Sequence, residues 1–154
     1  MKVVLGDILD AKYGIIGHQV NCQMVMGAGL AKQIKRKYPH VFNEYVQIMG
    51  KAQITKRLGR CQIVEAIPRE LYIANLFGQF HWLNRGVVNT DYEALSMALR
   101  NLSVWKREKT PVDFPVYLPY GLGCGLAGGD WSIVSAIIED ILPEAILVKF
   151  HKEG

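Results

Sequence analysis

Short apolar runs with strand character alternate with helix-patterned segments along the whole chain, and that alternation limits the fold more than any other feature. Lys2–Leu5 reads as a first strand, ended by Gly6 and Asp7, and Gly14–Asn21 as a second. A glycine-containing loop, Met26-Gly27-Ala28-Gly29, then precedes a helix from about Leu30 to Tyr38. Pro39 interrupts it, and helical spacing resumes at Phe42, Tyr45, Val46 and Met49. Arg60–Ile67 and Leu71–Leu76 read as strands joined across Pro68-Arg69-Glu70, followed by a polar, aromatic loop from Phe77 to Asn89. Thr90 and Glu93 form a capping box ahead of a stripe at Tyr92, Leu95, Leu99 and Leu102. Val116–Pro119 is a short strand leading into the glycine-rich stretch Tyr120–Gly129. A helix with Val134, Ile137, Ile138 and Ile141 on its buried face stops at Pro143, and Ala145–His151 is a final strand. Strands that read as near-continuous apolar runs and alternate with helices predict an α/β fold with a largely parallel sheet covered on both faces. Ligands of such sheets sit beyond the carboxyl ends of the strands. That rule gathers Gly6-Asp7, Asn21–Gly29, Leu76–His81 and Tyr120–Asp130 before any motif is considered.

No linker, repeat or low-complexity stretch divides the 154 residues, so residues 1–154 are treated as one domain. Half the residues are hydrophobic and 21% charged, which places the chain among globular rather than disordered sequences. No apolar run approaches the roughly 20 residues that span a bilayer, and the apolar start is broken at Asp7, so no membrane partner and a cytoplasmic location are expected. Cys22, Cys61 and Cys124 lack C-x-x-C pairing, which argues for free thiols over a disulfide framework or zinc site. No metal cluster is apparent and no cofactor is expected. The net charge of +4 owes part of its excess to Lys32, Lys35, Arg36 and Lys37, then Lys51, Lys56, Arg57 and Arg60. These are spaced as a solvated helix surface would be, so nucleic acid as such is not expected as a partner.

The two glycine-bearing loops that open helices carry the strongest chemical signal. Glycine permits close approach of the backbone and φ > 0, and a helix N-terminus adds unpaired N–H donors with a partial positive charge. Met26–Leu30 and Gly121–Gly129 would clamp a diphosphate with main-chain donors, or else only make tight turns. Neither is a Walker A loop or an opening dinucleotide fingerprint. Asn21 offers a donor and an acceptor to ribose hydroxyls, or forms a turn. Asp7 would accept from an adenine amino group, or make ordinary turn chemistry. His18, inside an apolar strand, is structural on residue type alone. Asp130 is either a helix cap or a carboxylate near the ligand.

Gly6-Asp7-Ile8, His18-x-x-Asn21, Met26-Gly27-Ala28-Gly29-Leu30-Ala31 and Gly123-Cys124-Gly125-Leu126-x-Gly128-x-Asp130-Trp131 together resemble the macro domain family. Within it the chain is most similar to the branch of terminal ADP-ribose glutamate hydrolases, DNA-ADP-ribose-removing antitoxins and ADP-ribose 1''-phosphate phosphatases. The resemblance implies a three-layer α/β/α sandwich around a mixed, mostly parallel sheet, with ADP-ribose or a derivative as ligand, free or on a macromolecule. It places Gly6, Asp7 and Ile8 beside adenine, with Phe150 a candidate for stacking on it. It gives Asn21 the distal ribose. It wraps the phosphates and that ribose with Met26, Gly27, Ala28, Gly29 and Leu30, and with Gly123, Cys124, Gly125, Leu126, Ala127 and Gly128.

The covalent hydrolases of this branch use a Lys to attack the anomeric carbon. Aligning Asn75–Trp82 with that segment puts Gln79 in its place, and an amide is no such nucleophile. Where the glutamate hydrolases have an Asp after Gly-Cys-Gly-Leu, this chain has Ala127. Lysine-dependent removal of ADP-ribose is therefore not expected. The phosphatase-like members keep a His at the position of His18. The implied chemistry is water attack on a terminal phosphate at the distal ribose, with His18 or Asp130 as acid or base and loop N–H groups stabilising charge. The alternative is a reader module that binds ADP-ribose without turning it over.

Overall fold

The computed structural model describes residues 1–49, 51, 53–82 and 87–151. Residues 83–86 of the expected Phe77–Asn89 loop lie outside them, as does the side chain of Met49. The described elements are β1 (Lys2–Gly6), β2 (Gly14–Asn21), α1 (Gly29–Lys37), α2 (Pro39–Met49), β3 (Cys61–Ile67), β4 (Leu71–Gln79), α3 (Tyr92–Lys109), β5 (Val116–Pro119), α4 (Trp131–Ile141) and β6 (Ile146–Phe150), with single 3-10 turns at Ile8–Asp10 and Ile54–Lys56. The strands form one sheet in the order β1-β6-β5-β2-β4-β3. Neighbours run parallel, except that β3 pairs antiparallel with β4 across their hairpin.

α1 and α2 cover one face of the sheet and α3 and α4 the other, giving a three-layer α/β/α sandwich. The pleat of β2 explains both cores. Ile15 packs into the α3/α4 core with Leu95, Leu99, Leu102, Val134 and Ile138. Ile16 packs into the opposite core with Ile34 and Val41, so successive side chains serve opposite layers. Gly17 has no room for more: an added Cβ would lie 2.6 Å from Leu118 Cδ2.

β4 continues to Gln79, three residues past the expected end at Leu76. The capping box at Thr90 is corrected. The N-cap of α3 is Asp91, whose side chain accepts from Ala94 N, and Thr90 bonds elsewhere. The helix-surface reading of the basic run holds on α1, where Lys32, Lys35, Arg36 and Lys37 are all exposed. Among the described residues no helix is long and apolar enough to cross a membrane.

Candidate functional site

The carboxyl ends of β2, β4 and β5 meet the start of α1 and the loop before α4 around two adjoining cavities. The larger, about 400 Å³, is lined by Gln19, Val20, Asn21, Val25, Gly27, Ala28, Ala31, Gln79, Trp82, Leu126 and Ala127. The smaller, about 240 Å³, lies between His18, Ala28–Ala31 and the Pro119–Ala127 segment. Both are lined by Gln19, Ala28, Ala31, Gln79, Leu126 and Ala127, so they are two lobes of one cleft.

Main-chain donors face this cleft. α3 and α4 are capped by Asp91 and Asp130, whereas the N-cap of α1 is Ala28, with no side-chain bond to its first turn. The orphan N–H groups of that turn, and the positive end of the helix dipole, are left for a ligand. On the opposite wall the amides of Gly125, Leu126 and Ala127 donate to no group among the described residues. Such an arrangement suits an anion held by backbone rather than by cations.

The glycine turn is tied to the sheet through one glutamine. Gln19 Nε2 donates to Gln79 Oε1 and to Thr90 Oγ1, both at 2.9 Å. Thr90 Oγ1 in turn donates to Gly123 O at 2.6 Å, and Gln79 Nε2 donates to His81 O at 2.7 Å. Gln79 therefore has both ends of its amide engaged. Gln19 Oε1 is buried without a partner and sits against two glycines. A Cβ on Gly78 would collide with it, and one on Gly123 would lie 3.0 Å away. Gly123 also needs its φ of +72°, so both space and backbone conformation demand glycine there.

His18 belongs to a polar chain that crosses the sheet on the α1/α2 side. Gln62 Nε2 donates to the carbonyl of Glu44, which can only accept. Gln62 Oε1 therefore accepts from Asn75 Nδ2 at 3.1 Å, leaving Asn75 Oδ1 as the acceptor for His18 Nε2 at 2.6 Å. That direction fixes the Nε2–H tautomer and leaves Nδ1 an unprotonated acceptor, buried with no partner. His18 is 2% exposed, and burial pushes its pKa down to about 4 against the opposing Asn75 bond. It is a neutral imidazole at neutral pH, and a weak base.

The other expected site residues separate into groups. Asn21 lines the larger cavity, but a register shift between Val20 and Asn21 brings its side chain to Tyr45. Its Oδ1 accepts from Gln23 N and Val25 N, and its Nδ2 donates to Val25 O, so it staples the loop after β2. Gly27 lines the larger lobe, Gly29 and Leu30 the smaller, and Ala28 both. Met26 is 1% exposed among Val20, Cys22, Tyr45 and Phe77, so its side chain is core. Gly123, Gly125, Leu126 and Ala127 line the cleft, while Gly128 and the Cys124 thiol, which donates to Leu122 O, do not. Asp130 is outside both lobes. Its Oδ1 accepts from Ser132 N and Ser132 Oγ, bonds that hold its carboxyl below the usual carboxylate range. Gly6 and Phe150 pair across β1 and β6, beside Asp7 and Ile8, beyond either lobe. There Asp7 Oδ1 caps the 3-10 turn through Leu9 N, Ile8 is buried and Phe150 is exposed.

Gln19 and Trp82 line the cleft and Thr90 ties down its glycine turn, and sequence reasoning assigned none of the three to the candidate site. The signal for Gln19 was its polarity near the carboxyl end of an otherwise apolar strand. Thr90 was hidden by a local motif that fitted a helix start. Among the described residues no three His, Cys, Asp or Glu side chains gather as a metal site would.

A family model described as "Macro domain" matches residues 18–138. The chain is 29% identical over 143 residues to a 17.5 kDa protein of the tk–vs intergenic region of Enterobacteria phage T4, covering 90% of this chain and 88% of that protein. It is 27% identical over 164 residues to a DNA ADP-ribosyl glycohydrolase of Mycobacterium tuberculosis, covering 97% of this chain but only 41% of that relative. Among solved structures, the macrodomain of Thermus aquaticus DarG superposes with a TM-score of 0.74 at 26% identity, covering 98% of this chain and 97% of that one.

Proposed function

This chain belongs to the macro domain family, and on that premise we propose that it binds ADP-ribose, free or carried on a larger molecule, across the two lobes of the cleft. One observation carries the reading. Two backbone-donor walls, the uncapped start of α1 and the free amides of Gly125–Ala127, face each other across a cleft whose described lining has no cationic side chain. A diphosphate is an anion that such donors can hold without lysine or arginine. The distal ribose then lies in the larger lobe, against Asn21, Gly27 and Ala28. Adenine lies outward at the β1–β6 end, against Asp7 and Ile8 with Phe150 as the stacking candidate. The single domain spans residues 1–154.

Hydrolysis at the distal ribose is the second reading. It is supported by the names of the DNA ADP-ribosyl glycohydrolases, whose length the chain spans by about two fifths. Gln79 stands where a lysine nucleophile would, with its amide bonded to Gln19 and His81, so a covalent lysine route finds no support. A phosphatase acting on ADP-ribose 1''-phosphate needs a proton acceptor or donor at the cleft. His18 lines the smaller lobe with an unprotonated Nδ1, while Asp130 is spent on its helix.

Calorimetric titration with ADP-ribose tests binding. A saturable one-site isotherm is expected, and no heat at millimolar ligand would end the assignment. Phosphate release from ADP-ribose 1''-phosphate by the parent, His18→Ala and Asp130→Ala tests turnover. Binding without release leaves the reader.

A further inference from the structure

The turn from Gly121 to Gly129 has its polar groups sorted. The carbonyls of Gly121, Gly123, Gly125 and Ala127 accept hydrogen bonds, from Cys124 N, Gly129 N, Gly128 N and Asn89 N respectively. The amides of Gly125, Leu126 and Ala127, residues that line the smaller lobe, donate to nothing among the described residues. Acceptors tied back and donors left free make an anion cradle, but only while the turn keeps this shape. Five of its nine residues are glycine, which leaves many other shapes within reach.

One residue outside the turn grips it at both ends. Thr90 is 5% exposed and lines neither lobe. Its hydroxyl donates to Gly123 O at 2.6 Å, and its N–H donates to Ala127 O at 3.3 Å. Gln19 Nε2 donates to Thr90 Oγ1, so the one hydroxyl proton cannot point back at the glutamine and is directed onto Gly123 O. Thr90 is itself anchored to the sheet. It bridges to Gln79 at the end of β4, and the next residue, Asp91, donates its N–H to Gly78 O at 2.7 Å. The helix cap is left to Asp91, so the Thr90 hydroxyl is spent wholly on the turn.

Resting on the reading that the diphosphate of ADP-ribose lies against this turn, we propose that Thr90 is a positioning residue that holds the turn in its anion-binding shape before the ligand arrives. The hydroxyl fixes the Gly123 end and the amide fixes the Ala127 end, so the three free N–H groups between them are ordered in advance. Without the clamp the ligand must order the turn as it binds, and affinity falls by that cost.

The test compares the parent with Thr90→Val, Thr90→Ser and Asp91→Ala. Valine keeps the shape of threonine and removes only the hydroxyl. Gly123 O retains Gly129 N and Gln19 Nε2 retains Gln79 Oε1, so neither former partner is orphaned and the variant folds. Calorimetry reads the ADP-ribose Kd. NMR hydrogen exchange without ligand reads the amides of Gly128 and Gly129, whose bonds to Gly125 O and Gly123 O close the turn. Thr90→Val raises the Kd about 5- to 30-fold (about 1–2 kcal/mol), the range for one buried hydrogen bond. It also speeds exchange at both glycines, and ADP-ribose slows that exchange again. Thr90→Ser, which keeps the hydroxyl, returns both readouts to within about twofold of the parent. Asp91→Ala lowers the Tm yet leaves both unchanged, which separates the clamp from general stability. A parent-like Kd in Thr90→Val overturns the proposal and leaves ADP-ribose binding standing. So does a loss that serine does not repair, or parent-like exchange at Gly128 and Gly129 in Thr90→Val. Failure of the parent to bind ADP-ribose overturns both.

Discussion

Replacing His18 with glutamine removes much of the acid sensitivity of the fold. In the folded chain Nε2–H is committed to Asn75 Oδ1, so a second proton must go to Nδ1, which is buried and has no acceptor nearby. The folded pKa lies at about 4 against an ordinary value of 6.5. Between those values the unfolded chain takes up a proton that the folded chain refuses, so stability falls as pH drops from about 6.5 and the His18 contribution levels off below about 4. At about 1.4 kcal/mol per pH unit the loss amounts to roughly 3 kcal/mol, a sizeable fraction of the usual stability of a domain. Glutamine preserves a donor at the Nε2 position toward Asn75 and does not titrate. The assay is urea unfolding of the parent and His18→Gln at several pH values from 7.5 to 4. Carboxylates contribute alike to both proteins, and the difference between their slopes belongs to His18. Parallel losses in the two proteins would refute the reasoning, as would an NMR titration of His18 near pH 6.5. The same neutrality bears on function, since any use of Nδ1 as a base gives a rate that does not fall until the pH drops well below 6.

Gly123→Ala forces a side chain into φ of +72° and against Gln19 Oε1 and Thr90 Oγ1, and lowers stability by about 1–3 kcal/mol in thermal unfolding. Because it displaces the wall proposed to hold the diphosphate, it is expected also to weaken ADP-ribose binding, measured by calorimetry. Asp91→Ala removes the cap of α3 and costs about 1 kcal/mol in the same thermal assay, while the ADP-ribose Kd stays unchanged because Asp91 lies outside the cleft.

Features that depend on neighbours in the chain were legible in the sequence. Gly14–Asn21 and Val116–Pro119 emerge with their expected bounds, a second helix starts at Pro39, and Asp130 caps α4. Both glycine loops stand where the alternation placed them, at the carboxyl ends of parallel strands. Each is a matter of local backbone preference or side-chain period, which a run of residues carries within itself. Thr90 shows the limit of that reasoning: a plausible local cap yields to a 2.6 Å bond with Gly123, 33 residues away. Met26 is hidden by Tyr45 and Phe77, and Gln19 meets Gln79 and Thr90 across 60 and 71 residues. The strand order, the charge state of His18 and the bare ring of Trp82 likewise depend on which segments pack together. The alternation with which the chain begins thus determined the layers and the end of the sheet at which the cleft lies. Only tertiary packing decided which side chains are buried there, which are bonded and which are left facing a ligand, because burial and hydrogen bonding are set by residues distant in sequence.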